Sequence, residues 1–248
     1  MPTQYGLIGK TLKHSFSKKY FSEKFSRENI DANYELYELA EISEFPALIE
    51  RVTNLKGLNV TIPYKQEVIP YMDALSPEAK AIGAVNTILV SPEKKLSGHN
   101  SDIYGFWYSL EAWLDGTPIS KALILGTGGA AKAVAYVMEH FLKVEEYKLV
   151  SRKEGADRLT YEKLFEIDMA DYPLIINTTP LGTYPAVEGR PHIPYSHLIE
   201  KHFAYDLVYN PENTAFMQAC ARYGAKTKSG MEMLIGQAEK SWEIWNEG

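Results

Sequence analysis

The sequence predicts a two-domain α/β protein, and three observations predict it. Apolar, strand-like runs alternate with helical patterns along the whole chain, the signature of α/β architecture with parallel sheets. One such run passes through a glycine-rich turn straight into an alanine-rich helix, ALILGTGGAAKAVAYVM (122–138). A polar stretch, SGHNSD (97–102), divides the alternation into two series.

In the first series, YGLIG (5–9) reads as a strand and FSKKYFSEKFSREN (16–29) as a helix. YELYEL (34–39), a helical stretch near 43–54, LKGLNVTIP (55–63) and AVNTILV (84–90) follow. The second series opens with a helix, IYGFWYSLEAWL (103–114), and the strand KALILG (121–126). Its further strands are YKLVS (147–151), PLIIN (173–177) and FAYDLV (203–208). The interval between 153 and 173 is short, which predicts a missing helix or strand. A last helix, roughly 230–246, places Met231, Leu234, Ala238, Ser241 or Trp242, and Trp245 near one face.

Composition narrows the class. With 248 residues, 45% hydrophobic and 23% charged, the chain can bury one or two ordinary cores. Its net charge of -6 and lack of a long Lys/Arg cluster argue against nucleic acid or an anionic membrane as partner, and for small molecules. Cys220 is the single cysteine, and the opening MPTQYGLIGKT carries no apolar leader, so a cytoplasmic location is expected. No 18-residue apolar run predicts a membrane span. His192, His197 and His202 recur every five residues, about 140° apart on any helix, which does not predict a metal site.

The glycine turn carries the first chemistry. Gly126 allows a tight turn, Gly128 and Gly129 let backbone approach a pyrophosphate, and Ala131 and Ala133 let helix and strand pack closely. A phosphate there faces the positive helix N-terminus. Tight strand-to-helix turns also need glycine for purely steric reasons. The second strand ends in Val150-Ser151-Arg152-Lys153, where an NAD-binding protein places an acid for the ribose 2′-hydroxyl. Two cations favour a 2′-phosphate, hence NADP; a solvated Arg-Lys pair blunted by Glu154 is the plainer reading.

Polar residues interrupt the apolar strands of the first series. Asn59 and Thr61 alternate with Leu58, Val60 and Ile62, so they share one strand face, either a hydroxyl-reading or a solvated one. Lys65 sits at the predicted first turn of the helix PYKQEVIPYM, against the helix dipole. Asp102 precedes a helix and reads by default as its cap, and Gln237 reads as a surface glutamine. Ser15 and Ser17 would point the same way in an extended segment, two donors for one carboxylate, unless Ser17 only caps the next helix. Asn86 is a buried reader or a strand-edge residue.

Taken in order, HSFS (14–17), GLNVTIPYK (57–65), GAVNT (83–87), HNSD (99–102), LGTGGAAKA (125–133), NTTPLG (177–182), YDLVYNP (205–211) and SGMEMLIGQA (229–238) resemble the shikimate dehydrogenase family. The resemblance implies an N-terminal α/β substrate-binding domain, 1–102, completed by the C-terminal helix 226–248, and a Rossmann-like NADP-binding domain, 103–225. It also implies an active site in the interdomain cleft.

By the same resemblance, Ser15 and Ser17 hold the substrate carboxylate, and Asn59, Thr61, Asn86, Asp102 and Gln237 the ring hydroxyls. Lys65 and Asp102 form the catalytic pair, and Tyr209 lines the substrate pocket. Gly126, Thr127, Gly128, Gly129, Ala130, Ala131, Ser151, Arg152 and Lys153 hold the cofactor. Thr178, Thr179, Pro180, Leu207 and Gly230 lie toward its nicotinamide. Two departures stand out: Ser151-Arg152-Lys153 replaces the family's Asn-Arg-Thr, and Lys18 its proline. The implied reaction is NADPH-dependent reduction of 3-dehydroshikimate to shikimate, in aromatic amino-acid biosynthesis, by a monomer or homodimer. An NAD-using quinate/shikimate dehydrogenase and a non-catalytic NADP-sensing protein remain the alternatives.

Overall fold

Two separate six-stranded sheets organise the chain. The computed structural model describes residues 1–12, 15–155 and 157–247. The chain splits into one unit formed by Met1–Ser101 with Gln237–Gly248 and another formed by Asp102–Gly236.

The first unit runs β1 (Thr3–Gly9), α1 (Phe16–Arg27), β2 (Ala32–Glu38), α2 (Phe45–Arg51), β3 (Leu55–Val60), α3 (Tyr64–Glu67), β4 (Ala74–Leu75), α4 (Pro77–Ile82), β5 (Thr87–Val90) and β6 (Leu96–His99). Its strand order is β2-β1-β3-β5-β6-β4. The expectation of a parallel sheet holds for β1 with β2 and β3, but β5 pairs antiparallel with both β3 and β6. For β5 with β6 the cause is local: Ser91 donates to the Lys95 carbonyl across a tight turn, and a short hairpin can join only antiparallel strands. SGHNSD therefore begins inside β6 instead of ending the series.

Alternation along the strands fills both faces of this sheet. Tyr5 and Leu7 pack with Phe21 and Phe25 of α1, while Ile8, Leu58 and Ile88 pack with Phe45, Leu48 and Tyr64. Trp245, near the end of the chain, fills the first face with its ring 4.8 Å from Tyr5. Its indole donates to the Ile88 carbonyl at 3.0 Å and lies flat over Gly57, where a Cβ would meet the ring at 2.3 Å. That close approach explains the glycine within a buried strand.

The second unit runs α5 (Asp102–Leu114), β7 (Lys121–Leu125), α6 (Gly129–Val137) with a π-turn at Met138–Leu142, β8 (Glu146–Ser151), β9 (Arg158–Thr160), β10 (Leu174–Asn177), β11 (Phe203–Asp206), α7 (Ala215–Ala221) and β12 (Lys226–Ser229). Its order, β12-β11-β10-β7-β8-β9, is parallel throughout and is the doubly wound Rossmann arrangement. The short interval after 153 keeps its strand, β9, and reaches β10 through 3-10 turns at Glu162–Phe165 and Met169–Asp171.

The C-terminal helix, α8 (Met231–Asn246), agrees with the 230–246 read from its apolar face and starts later than the 226 of the implied domain division. Residues 226–229 instead pair with β11 as an edge strand, and Gly230 breaks the chain between strand and helix. Among the described residues, no helix is long and apolar enough to cross a membrane. His202 is buried and bonded to the backbone of Ile199 and Met169, a structural role.

Candidate active site

In the first unit, polar residues from three distant segments converge on α8. Gln237 and Ser241 lie one helical turn apart and are 8% and 0% exposed. Ser241 Oγ is at 2.9 Å from Asn59 Nδ2, 2.8 Å from Thr87 Oγ1 and 3.1 Å from Ser101 Oγ. The backbone N–H of Ser101 donates to Asn86 Oδ1 at 2.7 Å, and Asn86 Nδ2 donates to Ser101 Oγ at 3.1 Å. Ser101 Oγ also reaches Gln237 Oε1 at 3.5 Å. The Asn86 and Gln237 amides are thus oriented around one buried hydroxyl, and neither is a surface residue. A fully satisfied polar network of this kind rigidifies the groups it contains.

Asn59, expected as a hydroxyl reader, is already bonded on both sides of its amide. It is buried, its Nδ2 donates toward Ser241, the Asn86 carbonyl and Thr87, and its Oδ1 accepts from the Tyr34 hydroxyl at 2.7 Å. These bonds hold β3 to β5 and α8. Burial pushes the Tyr34 phenol far above its ordinary range, against a hydrogen bond from Ser17.

Ser15 and Ser17 do not share an extended segment. Ser15 caps α1, accepting from the Lys18 N–H at 3.2 Å, and Ser17 lies inside the first turn. Capping uses a lone pair of Ser15 and not its hydroxyl hydrogen, the atom a carboxylate would take. His14 of the HSFS motif lies outside the described residues. Thr61 is half-buried just after β3, with its N–H on the Ile8 carbonyl.

Lys65, also half-buried, is the second residue of α3. That helix is a single turn, so the expected conflict with a helix dipole is small. Its carbonyl accepts from Val85 N–H at 2.7 Å, which ties the lysine to the residue before Asn86. Asp102 is the first residue of α5, and the residue before it, Ser101, belongs to the buried network.

In the second unit the candidate cofactor residues meet where strand order reverses, at the carboxyl ends of β7 and β10. Open α/β sheets bind ligands at that switch point. Thr178 spans it: its N–H and Oγ1 both donate to the Leu125 carbonyl, at 3.0 and 2.7 Å. Gly126 has φ +118, and a Cβ there would stand 2.6 Å from Thr178 Oγ1, so its glycine follows from sterics alone.

Gly128 and Gly129 differ from it. A Cβ at either would meet nothing within 4 Å, so internal crowding does not explain them. Gly128 instead stands at the start of α6 with open space before it. That is the room and the dipole a phosphate requires.

The space belongs to a pocket of about 840 Å³ bordered by the glycine turn, Val150 to Lys153, Tyr161 and Thr178 to Leu181. At its far side Ser151 Oγ bridges both ends of the 151–153 turn, donating to the Lys153 carbonyl at 2.9 Å. Glu154 pairs with Lys163 at 2.8 Å, and among the described residues no ion pair occupies Arg152 or Lys153. Glu154 is thus engaged with Lys163, and the donor set fits a phosphate-bearing dinucleotide. Leu207 donates its N–H to the Asn177 carbonyl at 3.0 Å and Gly230 to Val208 at 3.2 Å, which gathers both beside the NTTPLG loop. Tyr209 follows, 37% exposed.

Sequence reasoning missed Ser241, Thr87, Ser101 and Tyr34, which build the first network, and Tyr161 and Asp206 in the second unit. For Ser101 and Thr87 the signal was available: each neighbours a residue already singled out.

Comparison with known proteins places these features. Residues 7–88 match the family model described as the shikimate dehydrogenase substrate binding domain. The shikimate dehydrogenase (NADP(+)) of Clostridium beijerinckii is 41% identical over 252 residues, covering 98% of this chain and 92% of that one. The crystal structure of shikimate dehydrogenase 1 from Peptoclostridium difficile superposes with a TM-score of 0.82 at 37% identity, covering 99% of this chain and 92% of that one. Shikimate 5-dehydrogenase from Thermus thermophilus, solved with NADP(H) and shikimate, gives a TM-score of 0.83 at 29% identity, covering 99% and 94%.

Proposed function

The chain belongs to the shikimate dehydrogenase family, and from that premise we propose that it catalyses the reversible, NADPH-dependent reduction of 3-dehydroshikimate to shikimate. The observation that carries the cofactor is the uncrowded glycine pair at 128–129, with Gly128 bordering a pocket that Arg152 and Lys153 also line. A cationic turn in place of an acid suits a ribose 2′-phosphate and therefore NADP.

NADPH, when bound, supplies the hydride. The chain's own residues do the rest. Ser15 and Ser17 donate hydroxyls to the substrate carboxylate, and Thr61, Asn86 and Gln237 read the ring hydroxyls, with Tyr209 lining the pocket. Lys65 donates the proton that the developing alkoxide requires, as a positioned general acid. Asp102 accepts from a substrate hydroxyl and holds Lys65 in place. Thr178, Thr179 and Pro180, with Leu207 and Gly230, bound the nicotinamide side.

The test is the absorbance of reduced nicotinamide, with shikimate or quinate crossed against NADP and NAD. Fast NADP reduction with shikimate alone is the expected result. Turnover of quinate with NAD would make the chain a quinate/shikimate enzyme, and cofactor binding without turnover of either would make it a binding protein.

A further inference from the structure

Asp206 closes β11, is 0% exposed, and has no part in the chemistry above. Its carboxylate takes three donors: Asn177 Nδ2 at 2.9 Å and Val208 N–H at 3.0 Å on Oδ1, and Thr214 Oγ1 at 2.6 Å on Oδ2. Asn177 closes the adjacent strand, β10, and is also fully buried.

A carboxylate only accepts, so it compels the Asn177 amide to present its NH₂ side. Asn177 Oδ1 must then face the other way, where it accepts from Thr179 N–H at 3.0 Å and Thr179 Oγ1 at 2.7 Å. Thr179 lines the cofactor pocket beside Thr178 and Pro180. The same Asp206 oxygen fixes Val208, whose carbonyl holds Gly230 at 3.2 Å. One buried carboxylate thus sets the orientation of two loops.

We propose that Asp206 is a positioning residue for the nicotinamide end of the cofactor, acting through Asn177 on Thr179 and through Val208 on the 207–208 turn. It rests on the reading of the switch-point pocket as the NADP site. A purely architectural Asp206 would act through Thr214, which caps α7, and would leave the cofactor loops alone.

The test uses the full chain and separates KM values. Asp206→Ala raises the KM for NADP about ten-fold, the scale of one buried hydrogen bond, with the KM for shikimate unchanged. Asp206→Asn keeps an acceptor for Asn177 and Val208 and a donor for Thr214, and restores the wild-type KM. Thr214→Val, which cuts only the α7 branch, leaves the KM for NADP unchanged. Should Asp206→Ala fail to fold, Asn177→Ala cuts the link one step nearer the loop and gives the same NADP-specific rise.

An unchanged KM for NADP, an equal rise in both KM values, or an Asn variant as impaired as the Ala variant overturns the proposal. Arg152→Ala distinguishes the two levels of failure. If it raises the KM for NADP while Asp206→Ala does not, positioning alone falls; if neither does, the pocket reading falls as well.

Discussion

The two units hold their candidate ligands by opposite means. The first buries side chains: Ser241, Thr87 and Ser101 are each 0% exposed and orient Asn86 and Gln237 from strands and a helix far apart in the chain. The second offers backbone: one contiguous turn, Gly126 to Gly129, with two glycines that nothing crowds. On the proposed function, the difference follows from what each unit recognises. Ring hydroxyls demand donors and acceptors at fixed points in space, which only preorganised side chains supply. A diphosphate is satisfied by consecutive N–H groups at a helix start.

On that contrast, damage in the first unit falls on substrate terms and damage in the second on cofactor terms. The largest expected effect is Lys65→Ala, which lowers kcat by roughly 10²–10⁴-fold if it removes general-acid catalysis, with the KM for NADP unchanged. Near-normal turnover would remove Lys65 from the chemistry. Steady-state kinetics with both substrates varied reads this directly.

Next in size is a stability effect with a defined pH sign. Burial pushes the Asp206 carboxyl up from 3.8 to about 6, so the folded chain holds this proton more tightly than the unfolded chain. The stability it contributes is complete below 3.8 and is lost as pH rises to about 6. Above that, ionised Asp206 costs about 3 kcal/mol relative to a neutral isostere. Asp206→Asn should therefore be more stable than wild type at neutral pH, with the gap closing as pH falls toward 3.8. Denaturant melts across that range check it; a gap independent of pH would contradict the assignment.

Arg152→Ala should weaken NADP by roughly 1.5–3 kcal/mol, the worth of a charged hydrogen bond, while leaving NAD almost unaffected. Titration of both cofactors measures the ratio, and equal losses for the two would break the assignment to the 2′-phosphate. The smallest effect is expected from Ser241→Ala, about 1–3 kcal/mol of stability for unsatisfied buried partners, accompanied by a higher KM for shikimate. A normal shikimate KM in the folded variant would show that the network supports the fold without setting the readers.

The same contrast explains how legible each half was. The glycine turn reads from sequence because its parts are adjacent: strand, loop and small-residue helix follow one another in 122–138. Ser241 and Thr87 are ordinary polar residues separated by most of the chain, and only folding brings them to 2.8 Å. Asn59 shared a strand face with Thr61 in the pattern, yet tertiary contacts with Tyr34 and Ser241 turned it inward. The helical face of α8 predicted that Trp245 would be buried, but not that it would lie over Gly57.

Local physics was sufficient for the strands, most helices and the phosphate turn, because hydrophobic period, capping and glycine conformation act within a few residues. The edge strand at 226–229 and the burial of the Asn86 and Gln237 amides were settled by pairing and burial across the chain. A hydrogen bond is worth most where water is excluded, and which residues are excluded from water is a property of the folded whole.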